Sequence, residues 1–126
     1  MLYPEVLKKA QAEIDSVLGT QADTAPGFRH LEQLPYSVAL VKEVFRWMPV
    51  APVGGPRRTM KDDEYKWYHI AAGTVVFANV WSIHHNESMY PDPFAFKPER
   101  FLPKDGSTLG HESLNEGHYG FGFGRR

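Results

Sequence analysis

The distribution of proline and glycine most constrains how this 126-residue chain can fold. It contains ten prolines and eleven glycines, and most of them follow residue 48. Proline lacks a backbone N–H and breaks helix interiors, while glycine favours turns, so both interrupt long regular elements. The sequence therefore predicts a helical first third, followed by loops, short strands and rigid coil.

Two helices are predicted before residue 48. Pro4 suits the first turn of a helix, where its missing N–H is not needed. The apolar residues that follow are spaced by three or four positions, as on one helix face: Leu7, Ala10, Ile14 and Val17. With Gly19 as a stop signal, the first helix is predicted over about 4–19. The second is predicted over about 35–48, beginning at a proline and ended by Pro49.

A small β-hairpin is predicted near 65–80. Two runs rich in β-branched and aromatic residues, 65–70 and 74–78, flank a spacer that contains Gly73. Such a pattern is typical of a hairpin. We therefore expect the two runs to pair with each other.

A charged pair on the second helix is the first candidate for a site. Glu43 and Arg46 are three positions apart and emerge on the same helix face. Exposed, such a pair contributes only a few tenths of a kcal/mol, roughly 0.3–0.5. Apolar residues crowd the same turns, however, and a partly buried carboxylate needs further partners. Arg100, in a proline-rich coil predicted over 90–103, is the candidate third member.

Composition excludes several classes of function. Fourteen Lys and Arg balance fifteen Asp and Glu, giving a net charge of −1 and no footprint for nucleic acid. No apolar run approaches the roughly 18 residues of a membrane span. There is no cysteine for disulfides or thiolate metal sites. His84 and His85 are adjacent, so their side chains point apart on a helix, and no metal site is predicted.

The end of the chain alternates two aromatic residues with two glycines, followed by two arginines, over 121–126. Glycine lets the backbone approach a ligand closely, and arginine offers a planar fork of donors for carboxylate or phosphate. Such a loop is suited to an anionic cofactor. The alternative is an unordered tail of the kind that binds RNA.

Three motifs, in this order and spacing, resemble those of the cytochromes P-450, the haem-thiolate monooxygenases. Glu43-Val44-Phe45-Arg46 resembles the family's E-x-x-R helix, Pro98-Glu99-Arg100-Phe101 its P-E-R-F motif, and 121–126 the front of its cysteine loop. Within this family, the sequence most resembles fungal members. The resemblance implies a mainly α fold with a small β-hairpin and long coil, the C-terminal part of the P-450 fold. Residues 1–126 would form one incomplete segment of that domain, with the cysteine loop starting at 119–126.

The resemblance also assigns roles to residues. Glu43, Arg46 and Arg100 would form a buried ion-pair triad that locks the loops beneath the haem. Arg57, or its neighbour Arg58, would hold one haem propionate. The remaining cofactor-binding residues would come from the cysteine loop. Phe121 would lie against the haem, and Gly124 belongs to the glycine-containing part of the loop that would aim backbone N–H groups at the thiolate. Arg126 would be the second propionate partner.

For function, the resemblance implies a haem-dependent enzyme that inserts one oxygen atom of O₂ into an organic substrate. Its partners would be an NADPH-dependent reductase and a small organic molecule. The parent protein would sit at the endoplasmic reticulum membrane through an N-terminal anchor that this segment lacks.

Departures from the family pattern leave a second class of function open. The chain ends two residues before the cysteine that would ligate iron, and the oxygen-activating helix is absent. Trp67 stands where the family usually has glycine in the hairpin turn. No catalytic residue or metal ligand is therefore predicted in this chain, and activity of the chain alone is not expected. The alternative is a non-catalytic remnant or interaction module without haem.

Overall fold

The structure, a computed structural model, describes residues 2–19 and 25–103. Helix α1 spans Pro4–Leu18 and helix α2 spans Pro35–Trp47, where the sequence predicted helices over about 4–19 and 35–48. Both begin at a proline, as expected for a residue that suits the first turn. A six-residue 3₁₀ helix, Phe28–Gln33, precedes α2. The predicted class, mainly α with small strands and coil, is confirmed.

Four short strands and two short helical segments follow α2. The strands are β1 (Arg57–Arg58), β2 (Asp63–Tyr65), β3 (Tyr68–Ile70) and β4 (Val75–Val76). Helix α3 spans Val80–His84, and a 3₁₀ turn spans Pro98–Phe101. The segment between α2 and β1 runs beside the chain that leads into α3, since Gly54 N–H donates to the Ala78 carbonyl at 2.8 Å and Trp81 N–H to the Pro52 carbonyl at 2.9 Å.

The strand pairing differs from the prediction. Strands β2 and β3 form an antiparallel hairpin by themselves, and β4 pairs antiparallel with β1. The prediction that 65–70 pairs with 74–78 is therefore wrong. The turn of the hairpin is Lys66-Trp67, whose positive φ angles of 45° and 59° suit a tight two-residue loop. Because neither residue is glycine or asparagine, their residue types carried no turn signal, and only the family resemblance placed Trp67 in a hairpin turn.

The centre of the described structure is unusually polar. Buried apolar residues gather around α2: Ala10, Leu34, Val38, Ala39, Val80 and Tyr90. The largest fully buried side chains, however, include Arg46, His84 and Glu43. Helix α2 packs against both α1 and the Pro98–Phe101 turn. Charged groups thus occupy the position where a domain normally places its largest apolar side chains.

Candidate functional site

Helix α2 places Glu43 and Arg46 against each other. Because the two residues are three positions apart, the guanidinium meets the carboxylate as a two-bonded fork. Arg46 Nε donates to Glu43 Oε2 at 2.6 Å and Nη2 donates to Oε1 at 2.9 Å. Both side chains are completely excluded from solvent. The pair is therefore a structural element of the interior, unlike an exposed helix-surface pair.

The remaining N–H groups of Arg46 bind backbone carbonyls. Nη1 donates to His84 O at 2.9 Å and to Pro93 O at 2.8 Å, and Nη2 reaches Ala95 O at 3.4 Å. The guanidinium also lies 5.4 Å from the centroid of the Tyr90 ring, within cation–π range. All five donors of this side chain consequently have acceptors, as a buried arginine requires.

Arg100 completes the predicted triad in space. Its Nε lies 3.2 Å from both Glu43 carboxylate oxygens. The rest of its guanidinium binds coil carbonyls, with Nη1 donating to Pro91 O at 3.0 Å and Nη2 to Ala95 O at 3.2 Å. Only 11% of this side chain is exposed. Two guanidinium groups therefore share one carboxylate, which helps balance their charge in an environment of low dielectric.

The cluster of Glu43, Arg46 and Arg100 organises a coil that has few regular hydrogen bonds of its own. The backbone N–H of Lys97 donates to Glu43 Oε1 at 2.7 Å. Beside it, Trp47 Nε1 donates to Phe94 O at 2.9 Å. Asp92 adopts a left-handed conformation with φ of 51°, and its carbonyl accepts from Arg100 at 3.3 Å. Side chains from α2 and from the 3₁₀ turn thus supply partners that a helix or sheet would otherwise provide.

A second carboxylate, which the sequence did not single out, ties α1 to α2. Glu13 Oε1 accepts from Tyr36 N–H, and Oε2 accepts from both the N–H and the hydroxyl of Ser37, each at 2.7 Å. The N-cap residue Leu34 has no side-chain oxygen to offer. Glu13 therefore caps the N-terminus of α2 from another helix and places a negative charge at its positive end.

A third, more exposed carboxylate, in the Pro98–Phe101 turn, also contacts α1 and α2. Glu99 accepts from Lys9 Nζ at 2.8 Å and from the Tyr36 hydroxyl at 3.5 Å. The hydrogen bond from Lys9 lowers the pKa of Glu99, and the same bond raises the pKa of Lys9. The pKa of Tyr36 is raised, first by burial and then by the charge of Glu99. These groups form a surface ion pair beside the buried cluster.

The predicted cofactor-binding residues are only partly described. Phe121, Gly124 and Arg126 lie outside the described residues. Arg57 lies in β1, where successive side chains point to opposite faces. On the other face, Arg58 Nε donates to the Gly73 carbonyl at 3.1 Å and is held by the adjoining turn. Arg57 and Arg58 are thus both exposed and lie on opposite faces of β1.

Neither a metal-binding cluster nor a membrane-spanning helix occurs in residues 2–19 and 25–103. No cluster of three or more histidine, aspartate or glutamate side chains within these ranges is suited to hold a metal ion. His85 instead stacks on the Trp81 ring at a centroid distance of 3.8 Å, while His84 is buried. Among these same residues, the helices are too short or too polar to cross a bilayer.

Comparison with known proteins matches the entire chain. A family model described as Cytochrome P450 matches residues 1–126. The chain is 50% identical over 126 residues to Cytochrome P450 monooxygenase 58 of Postia placenta, covering 99% of this chain and 24% of that protein. It is 52% identical over 124 residues to Cytochrome P450 monooxygenase COX2 of Coprinopsis cinerea, covering 98% of this chain and 23% of that protein. The chain thus spans about a quarter of the length of the curated relatives it matches.

Proposed function

This chain belongs to the cytochrome P450 family, and on that premise we propose that it is part of a haem-dependent monooxygenase. The enzyme inserts one oxygen atom of O₂ into an organic substrate. The observation that carries this proposal is the Glu43–Arg46–Arg100 cluster, because its three members come from two of the motifs on which the family resemblance was first drawn. The matches do not favour the alternative of an interaction module without haem.

The proposed role of the cluster is to fix the coil on which the cofactor loop rests. One carboxylate and two guanidinium groups bind the backbone at Pro91, Pro93, Ala95 and Lys97. These bonds hold an irregular segment in a single conformation without a sheet or helix. A cofactor site built on such a segment needs that rigidity, because small displacements of a supporting shell weaken binding. Glu43, Arg46 and Arg100 are therefore positioning residues and touch no substrate in this proposal.

The residues present fit a haem on one described point. Arg57 is exposed on strand β1, on the opposite face from Arg58, and it is the proposed partner for a propionate. Arg126 is the proposed second propionate partner, with Phe121 against the cofactor and Gly124 in the surrounding loop. A haem held through a cysteine thiolate would supply the iron that activates O₂, and the thiolate would donate the electron density that favours O–O cleavage. That cysteine is proposed to come from the parent protein, since this chain contains none.

The partners and location follow from the same proposal. The parent protein takes electrons from an NADPH-dependent reductase and acts on a small organic molecule. It sits at the endoplasmic reticulum membrane through an anchor outside residues 1–126. These residues are one incomplete segment of the catalytic domain, and the segment alone is inactive.

A chimera tests this function. The matching quarter of the Postia placenta relative is replaced by residues 1–126 of this chain, leaving the rest of that protein, including its cysteine, in place. We expect the chimera to incorporate haem and, when reduced under carbon monoxide, to give the red-shifted absorption of a thiolate-ligated haem. The unmodified relative is the positive control. A folded chimera that binds no haem, as judged by circular dichroism and absorption, would contradict the proposal.

The chain by itself provides the complementary experiment. Purified residues 1–126 mixed with haem should show only the absorption of histidine ligation under carbon monoxide, because the chain has histidines but no thiolate. A thiolate-type band, or turnover of a substrate with a reductase, would contradict the proposal that the chain is an incomplete segment.

A further inference from the structure

The lysine that precedes Glu43 in helix α2 is almost completely removed from water. Only 4% of Lys42 is exposed, although lysine is among the residues least often buried in proteins. Its neighbours along an apolar groove include Leu34, Val38 and Phe45. Burying an ammonium group is costly unless nearby groups stabilise its charge. A stabilising partner for the charge of Lys42 is therefore expected within the protein.

The face of an aromatic ring supplies one such partner. Lys42 Nζ lies 5.9 Å from the centroid of the Phe101 ring, within the range of a cation–π interaction. One helical turn further along α2, on the same face, the Arg46 guanidinium lies 5.4 Å from the Tyr90 ring centroid. The Tyr90 and Phe101 rings are neighbours, with centroids 6.5 Å apart and planes inclined at 56°. Helix α2 therefore places two cations over two adjoining rings that belong to the segment 90–101.

Two pairs of sequence neighbours meet at this point. Lys42 precedes Glu43 in α2. Phe101 follows Arg100 in the Pro98–Phe101 turn. The lysine contacts the phenylalanine, while the glutamate accepts from Arg100 Nε at 3.2 Å. A 3₁₀ helix has about three residues per turn, so successive side chains leave it in directions about 120° apart. Fixing the Phe101 ring consequently fixes the direction in which the Arg100 side chain leaves the turn.

We propose that Lys42 is a positioning residue that orients the Pro98–Phe101 turn through the Phe101 ring. Arg100 Nε and the Lys97 N–H both bind the Glu43 carboxylate, so these two contacts share one point about which the turn can pivot. The contact between Lys42 and Phe101 lies at a second point and opposes that rotation.

This role requires the ammonium charge of Lys42, because the bulk of the side chain alone gives no attraction to the ring face. It depends only on contacts within the described residues and not on the monooxygenase activity. Unfolding measurements on the chimera test it whether or not the chimera binds haem.

A double-mutant cycle in the chimera tests the contact. Lys42→Met keeps most of the side-chain volume and removes the charge, while Phe101→Leu keeps an apolar side chain and removes the ring. Urea unfolding gives the folding equilibrium constant of each variant, and the cycle isolates the part of the loss that depends on both side chains. We expect that part to be about 3- to 30-fold in the equilibrium constant, the size of a cation–π contact removed from water. Purely additive losses would overturn the proposal.

Substitution by arginine separates charge from packing. Lys42→Arg keeps a cation that suits an aromatic face, so it should retain more stability than Lys42→Met. A lysine that only filled space would give the reverse order, because methionine adapts well to apolar gaps. The exposed Lys8 on α1 is the matched control, and Lys8→Met and Lys8→Arg should each change the equilibrium constant by about twofold or less. Equal losses for the two Lys42 substitutions would show that the charge has no role.

The effect on Arg100 tests the positioning step itself. Arg100→Met removes the ion pair with Glu43 and should lower the folding equilibrium constant of the chimera. That loss should be smaller when Lys42→Met is already present, because a turn that pivots presents Arg100 to the carboxylate less often. Equal Arg100→Met losses in the two backgrounds would contradict positioning by Lys42.

Nuclear magnetic resonance gives a readout that needs no unfolding. In a chimera made with isotope-labelled lysine, the signal that Lys42→Arg removes identifies Lys42. Its side-chain protons next to Nζ should be shifted upfield by the current of the Phe101 ring, and Phe101→Leu should abolish that shift. An unshifted Lys42 signal in the folded chimera would overturn the proposal.

Discussion

The region around α2 and the region of the four strands use arginine in opposite ways. In the first, Arg46 is fully buried and binds one carboxylate and three backbone carbonyls. In the second, Arg58 is exposed and donates to the Gly73 carbonyl. The difference teaches that the residue type alone does not make a guanidinium structural. A guanidinium becomes structural when it is removed from water, because each of its N–H donors then needs an acceptor within the protein.

The two regions also differ in what orders their backbone. The strands pair through backbone hydrogen bonds and close through turns with positive φ angles. The 91–97 coil depends instead on side chains reaching it from α2 and from the 3₁₀ turn. Substitutions in the first region should therefore have effects beyond the altered residue, while those in the strands should remain local.

The largest effect is expected for Glu43→Ala. This change leaves two guanidinium groups buried without their shared carboxylate and removes the acceptor of Lys97 N–H. By analogy with other broken buried pairs, the free energy of unfolding of the chimera should fall by about 3–5 kcal/mol, with loss of haem. Urea unfolding and haem absorption measure the two results. Glu64→Ala, in an exposed strand, should change stability by less than about 0.5 kcal/mol.

A smaller but distinctive effect is expected for Arg46→Lys. The charge is kept, but a fork with five donors is replaced by an ammonium with three, so buried carbonyls such as Pro93 O lose their partner. We expect a loss of about 2–3 kcal/mol in the same urea experiment, given roughly 1–3 kcal/mol for each unsatisfied buried group and partial relaxation. Arg58→Lys is the matched substitution in the strand region and should cost less than about 0.5 kcal/mol. Equal losses for both would contradict the comparison.

The cap of α2 gives the next effect in size. Glu13→Ala removes the acceptor of the Tyr36 and Ser37 N–H groups, and should cost about 1–2 kcal/mol. Glu13→Gln keeps one side-chain oxygen and should cost less. Glu5→Ala, which breaks only the exposed pair with Lys8, is the control and should cost at most about 0.5 kcal/mol. Measured losses that do not follow this order would show that the cap does not stabilise α2.

Sequence reasoning located what is encoded locally. The spacing of apolar residues and the prolines at their starts predicted both long helices to within one or two residues. The three-residue spacing predicted that Glu43 and Arg46 share a face. Arg100 could be added only because a buried carboxylate needs more partners and because the family resemblance supplied one. These inferences required no knowledge of how distant segments approach each other.

What sequence reasoning missed depends on long-range contacts. Glu13 caps a helix whose N-terminus begins more than 20 residues later, and nothing near Leu34 signals this. The carbonyls that accept from the two arginines belong to every residue type, so no pattern identifies them. The predicted strand pairing was wrong because the turn forms at Lys66-Trp67, within a run that has the composition of a strand. A local rule cannot find a turn that tertiary structure or function imposes.

The smallest effect concerns the exposed carboxylate next to the buried one. The pKa of Glu99 is lowered, so its pair with Lys9 contributes stability above the ordinary glutamate pKa of 4.5, and that stability is lost as the pH falls through the lowered value. The pKa of Lys9 is raised, so the lysine stays charged throughout this range. Glu99→Gln should therefore reduce stability slightly at pH 7. At a pH low enough to protonate Glu99 in the unsubstituted protein, the substitution should leave stability unchanged. Urea unfolding at pH 7 and at acid pH measures the difference, with Asp63→Asn in the strands as a control. A Glu99→Gln effect that persists undiminished at low pH would show that hydrogen bonding, and not charge, joins α1 to the 3₁₀ turn.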